Sequence, residues 1–152
     1  MARKVDILFP EFDIKVVGTM QDETEPELCE MFWGLLPFRG ACVNTLSTGD
    51  TFNARCRPPR KARISGTQDN PAGRHHGKLC NRKPGEITYT GVDCQVCYGP
   101  DMTEPLDARG GIVIKVDPEY LDIFYEAGKR VWRNHLGPHG LVTLEIIAKE
   151  NA

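Results

Sequence analysis

The sequence predicts a mainly antiparallel β-barrel or sandwich with two packed helices. Three observations carry that prediction. Short runs of alternating apolar residues recur along the chain and group as hairpins. Only two segments show helical spacing, and both carry start and stop signals. Strands and helices do not alternate one for one, which sets a doubly wound parallel sheet aside.

Val5-Asp6-Ile7-Leu8-Phe9 is a strand stopped by Pro10, and 12–17 is a second, with Phe12, Ile14 and Val16 on one face. The short link between them predicts a hairpin. A helix follows over about 25–36. Thr24 and Glu27 fit a capping box, Pro26 suits a first turn, and Leu28, Met31, Phe32, Leu35 and Leu36 recur at helical spacing up to Pro37. Positions 42–46 and 51–56 read as two strands around the turn Ser47-Thr48-Gly49-Asp50. Strand pattern returns at 85–89, at 94–98 (ended by Gly99-Pro100) and at 112–116. Asp117 as N-cap and Pro118 as first residue open a second helix, whose Leu121, Phe124, Tyr125, Gly128, Val131 and Trp132 share a face. Lys129, Arg130 and Arg133 stand near its C-terminal end, where the helix dipole favours cations, and Gly137-Pro138 closes it. The last strand is 141–148.

The chain has 152 residues, a length that can bury a real core, and it reads as one domain over 1–152 with a basic loop insert at 57–84. The net charge of -2 hides an asymmetry. Between positions 55 and 83, nine Lys/Arg stand against one acid, Asp69, while the remainder holds ten Lys/Arg against twenty acids. No apolar run nears the roughly 18 residues of a membrane span. The N-terminus, with Arg3, Lys4 and Asp6, does not read as a secretory signal. The expected location is therefore the cytoplasm, with the six cysteines reduced.

Several motifs, taken in order, carry a resemblance. Glu25-Pro26-Glu27-Leu28-Cys29 runs into Phe32-Trp33-Gly34-Leu35-Leu36-Pro37-Phe38, followed by Ser47-Thr48-Gly49-Asp50 and Pro84-Gly85-Glu86-Ile87. Then come Cys97-Tyr98-Gly99, Gly110-Gly111-Ile112 and Ala127-Gly128-Lys129-Arg130-Val131-Trp132. Over roughly 130 residues this pattern resembles a largely uncharacterised bacterial family with the cyclophilin-like fold, to which cucumopine synthase is related. The resemblance implies a cyclophilin-like eight-stranded antiparallel barrel with two packed helices. It also implies acid/base chemistry on a small metabolite, since cucumopine synthase joins histidine to 2-oxoglutarate. The chain departs from the family at four places. The turn Glu is Asp50; of an acid pair after Pro-Gly-Glu, Asp93 matches one and Gln95 replaces the other; an Asn-His step is Ile112-Val113; and the insert is unusually basic. The arginine and Phe–His–Arg context of prolyl isomerases are not found, so that activity is not expected.

The expected function is an enzyme acting on a small anionic, nitrogen-containing metabolite, of the lyase, cyclase or ring-opening kind. The alternative is a non-catalytic ligand-binding module or an accessory subunit of an amide-hydrolysing complex. Asp50, Asp93, Tyr98 and His75 are assigned to catalysis: the carboxylates to proton transfer, Tyr98 to an oxyanion, His75 as replacement for the family histidine. Arg39, Arg74, His76, Phe38 and Thr45 are assigned to substrate binding, the arginines because their planar fork matches a carboxylate. The basic insert, with Arg60, Lys61, Arg63, Lys78, Arg82 and Lys83, could close over a cleft or be merely solvated. It holds no aromatic residue to stack on bases, which argues against nucleic acid. A zinc site from His75, His76, Cys80 and Cys56 has poor spacing, and Cys94-Gln95-Val96-Cys97 lies in a strand, where the two thiols point to opposite faces. The expectation is therefore no metal and no cofactor, with no membrane partner and self-association left as the protein partner.

Overall fold

The computed structural model describes residues 2–44, 47–55, 77–91, 93–108 and 110–150. Its first strand, β1 (Lys4–Phe9), pairs antiparallel with β2 (Ile14–Met20), with Ile7 opposite Val16. The hairpin forms as expected, but Phe12 lies in its 3-10 turn, Pro10–Phe12, rather than in the strand. Pro10 fixes its own φ and lacks an N–H, and Asp13 then takes a left-handed φ of 54° to re-enter the sheet.

The remaining strands are β3 (Phe38–Asn44), β4 (Gly49–Arg55), β5 (Glu86–Tyr89), β6 (Asp93–Met102), β7 (Gly111–Val116) and β8 (Thr143–Ala148). They close into a barrel in the order β1-β2-β7-β5-β6-β4-β3-β8, every pairing antiparallel. Two strands are longer than the sequence pattern predicted. β3 starts at Phe38, and β6 runs through Gly99-Pro100 to Met102. Pro100 is tolerated because the β4–β6 register shifts between Gly49 and Thr51, so no ladder bond is required of it.

An eight-stranded barrel has room inside for side chains and little else. Ile7, Phe9, Phe52, Tyr89, Val96, Tyr98 and Ile146 fill it, all buried. The two helices close its mouths. Helix α1 (Pro26–Trp33) puts Phe32 against Phe38 and Tyr89, with ring centroids 5.9 and 5.2 Å apart. It is shorter than 25–36, because Leu35 and Leu36 donate back to Phe32 and Trp33 in tight turns. The expected capping box does not form; Glu25 occupies the N-cap without a side-chain cap. At the opposite mouth, α2 (Leu121–Leu136) lays Phe124 against Phe9, centroids 6.1 Å apart, and Gly128 onto Tyr98. A Cβ on Gly128 would overlap the Tyr98 ring, so glycine is what permits this approach. Asp117 does not cap with its side chain; a 3-10 turn, Pro118–Tyr120, precedes the helix, and Asp117 binds Lys4 at 2.8 Å and the Thr19 hydroxyl at 2.6 Å.

Candidate functional site

A filled barrel leaves its rims and outer face for chemistry. The assigned residues divide between these places. Asp50 and Tyr98 meet at the α2 mouth. Asp50 accepts from Lys129 Nζ at 3.2 Å and from the Asp101 backbone N–H at 3.1 Å, and is almost wholly buried. Tyr98 is buried beneath α2, and burial, with Asp50 nearby, pushes its phenol up to about 12. Asp93 sits at the other end of β6, roughly 20 Å from Asp50 at about 3.3 Å per residue. Asp50 and Asp93 therefore cannot act on one small substrate as an acid/base pair.

Asp93 closes a tight turn: it accepts from the Thr90 hydroxyl at 2.6 Å and pairs with Arg55 at 3.4 Å. Phe38 is core, packed on Phe32, and offers no face to a ligand. Arg39 projects outward on β3 and pairs with Glu145 of β8 at 3.4 Å, not with a helix acid or a cleft. Thr45, Arg74, His75 and His76 lie outside the described residues, as does most of the basic insert. Among the described residues no three His, Cys, Asp or Glu side chains group as metal ligands.

The outer face of β4, β6 and β5 is where polar side chains converge. Strand periodicity sends Cys94, Val96 and Tyr98 inward and Asp93, Gln95 and Cys97 outward, as the sequence predicted. Across the ladders, Asn53 stands opposite Gln95 on one side and Thr88 on the other, while Thr51 stands opposite Cys97. An outer barrel face ordinarily meets water, yet Thr51, Thr88 and Cys97 are buried. Part of the cover comes from residues 77–82, which pair with 104–108 through Leu79 N–H to Leu106 O, Cys80 N–H to Glu104 O and Ala108 N–H to Gly77 O. That layer meets the sheet where the Cys97 thiol donates to the Arg82 carbonyl at 3.7 Å.

Arg82 then runs its side chain across the outside of β5 to the Gly110 carbonyl, 3.4 Å from Nη2. Its Nε is sealed from solvent, and among the described residues it has no hydrogen-bond partner and Arg82 no ion pair. Burial lowers its pKa, with Glu86 the largest opposing charge. Glu86 is itself engaged, accepting from the Lys83 N–H at 2.6 Å and lying 3.6 Å from Lys115. The Gln95 Oε1 on the same face is likewise buried without a donor. Glu25 adds a third element. Its carboxyl fits against Gly111, where a Cβ would come within 2.7 Å of it, and its charge also acts on Arg82. Three separate motifs, around Glu25, Glu86 and Gly111, thus meet at one guanidinium. The Cys97 thiol beside it is pushed up to about 12 by burial and stays protonated at neutral pH.

Sequence reasoning placed Arg82 within the basic insert but not in the site, and noted Gln95 only as a missing acid. The available signal was position: Arg82 stands two residues before Pro84-Gly85-Glu86, and Gln95 alternates with inward Cys94 and Val96.

No protein-family model matches this chain, and no curated protein matches it. Among solved structures, that of McbB in complex with tryptophan superimposes with a TM-score of 0.81 over 97% of this chain at 24% identity. The chain is similar in fold to McbB. It spans 45% of the length of that McbB chain, and at this identity the likeness concerns the fold alone.

Proposed function

We propose that this chain is an enzyme of small-molecule metabolism that acts on an anionic, nitrogen-containing metabolite by acid/base chemistry, of the lyase, cyclase or ring-opening kind. One observation carries the proposal: the half-buried Arg82 guanidinium, its Nε sealed from water and without an acceptor or ion-pair partner among the described residues, on a covered polar face. A partly desolvated cation with an unpartnered donor costs free energy until an acceptor reaches it, and a carboxylate matches its geometry.

Asp93 is the acid/base candidate on that face. It is two strand residues from Gln95, about 7 Å, a span that suits a small molecule anchored at one end and reacting at the other. Asp50 and Tyr98 act from the α2 mouth, where the Asp50–Lys129 pair supports the helix, and we assign them to structure first. McbB, similar in fold, was captured with tryptophan, an amino acid carrying both a carboxylate and nitrogen.

A thermal-shift series with small mono-, di- and tricarboxylates and cyclic amides tests the proposal, because a ligand that binds the native state alone raises the melting temperature. Arg82→Met should abolish the response to an anionic hit. Asp93→Asn should keep binding and lose turnover. An unchanged response in Arg82→Met would remove this face from the site.

One observation favours the second reading, an accessory or ligand-binding subunit. Val43 of β3 and Leu141, in register with it beyond β8, are both exposed. Val43→Lys should then abolish capture of a partner protein and leave the carboxylate response intact.

A further inference from the structure

Resting on the anion-binding reading of Arg82, we propose that Gln95 is the residue that selects the substrate, by accepting a hydrogen bond from an uncharged N–H carried by the same molecule whose carboxylate Arg82 holds. The substrate class is thus an N-acylated or cyclic-amide carboxylic acid rather than a free amino acid.

The argument starts from two buried atoms with opposite needs. Among the described residues, Arg82 Nε is a donor without an acceptor and Gln95 Oε1 an acceptor without a donor. Both belong to the outer face of the β5–β6 pair. Gln95 is directly opposite Thr88 of β5, and the Arg82 backbone contacts Cys97, the next outward residue on β6. Arg82 crosses β5 to reach Gly110, next to the Gly111 that pairs with Tyr89. Each orphaned atom carries a desolvation cost that one ligand with a carboxylate and an N–H would relieve.

Charge decides which kind of N–H. An ammonium here would lie near a half-buried guanidinium. The acids of this region are engaged: Asp93 with Thr90 and Arg55, Glu86 with the Lys83 N–H and Lys115, and Glu25 with the charge of Arg82 itself. A neutral amide oxygen repays the desolvation of a neutral N–H, but not that of an unpaired ammonium.

Three matched probes test this on the full chain: N-acetylglycine, its ester isostere acetoxyacetate, which lacks the N–H, and glycine, whose nitrogen is an ammonium. Affinities are read by calorimetry or by NMR titration up to tens of millimolar. N-acetylglycine should bind at least about tenfold more tightly than either comparator, the scale of leaving a buried acceptor unpaired. Gln95→Leu should bring N-acetylglycine and acetoxyacetate to parity while both still require Arg82. Parity of these two in the wild-type protein, with dependence on Arg82, overturns the N–H assignment and leaves the anion site standing. Tighter binding of glycine also overturns it. Failure of all three probes to bind removes the anion reading itself.

Discussion

Lys129 of α2 places its ammonium 3.2 Å from the buried Asp50 carboxylate of β4 and 5.4 Å from the centre of the Tyr125 ring. The ion pair joins the second helix to the barrel rim at the point where Tyr98 closes the core. Lys129→Met should therefore destabilise the protein by about 1–3 kcal/mol, because it leaves Asp50 buried with one backbone donor. Asp50→Asn in the same background should recover part of the loss. Urea denaturation of the two single variants and the double variant measures the coupling.

Gly128 and Tyr98 make the closest approach between α2 and the barrel. Gly128→Ala is expected to cost about 1–3 kcal/mol despite the better helix propensity of alanine, because the ring beneath has no room to retreat. Gly128→Val should cost more. A gain in melting temperature for Gly128→Ala would refute the packing argument.

Four acidic groups raised by burial predict alkaline sensitivity. The thiols of Cys29 and Cys97 and the Tyr98 phenol are pushed up to about 12, and burial raises the Cys42 thiol as well. Each keeps its proton when folded and loses it sooner when unfolded. The thiol contribution is complete below pH 9 and the phenol contribution below pH 10, and both are lost as pH rises towards 12. Each group lowers stability by about 1.4 kcal/mol per pH unit inside its window. Chemical denaturation between pH 7 and 10.5 should show the decline beginning near pH 9, and Cys97→Ala should flatten it.

Arg74 and His75 were assigned from sequence. Arg74→Ala and His75→Ala should each blunt the melting-temperature rise produced by an anionic ligand, with little change in the ligand-free value. An unaltered response in both variants assigns anion capture to Arg82 without help from those positions.

The strands were legible because their signal is local. Alternation in 5–9 and 112–116 marks one buried face whatever the partner strand is. Gly137-Pro138 stops α2 by chemistry that needs no tertiary contact. Boundaries were less legible. Phe12 shows strand periodicity yet lies in a turn, and β6 passes through Gly99-Pro100, because a register shift on β4 relieves the proline. The candidate site was the least legible part. Asp50 and Asp93 look alike in sequence, as single acids beside strand residues, and only the length of β6 separates them. Phe38 and Arg39 are neighbours in sequence, yet the pleat turns one into the core and the other towards Glu145.

By itself the sequence determined a β-barrel of hairpins with two helices, and a positive segment on an acidic body. Those properties follow from period, capping and charge counts, each readable within a few residues. Tertiary structure alone decided that Arg82, among the described basic residues between positions 55 and 83, is the one with a guanidinium nitrogen sealed from water and unpartnered. It also decided that Gln95 shares its face. The physical reason is that burying a charge requires cover from chain far away in sequence. Here 77–82 pairs with 104–108 over the sheet, and Glu25, Glu86 and Gly111 arrive from three different elements.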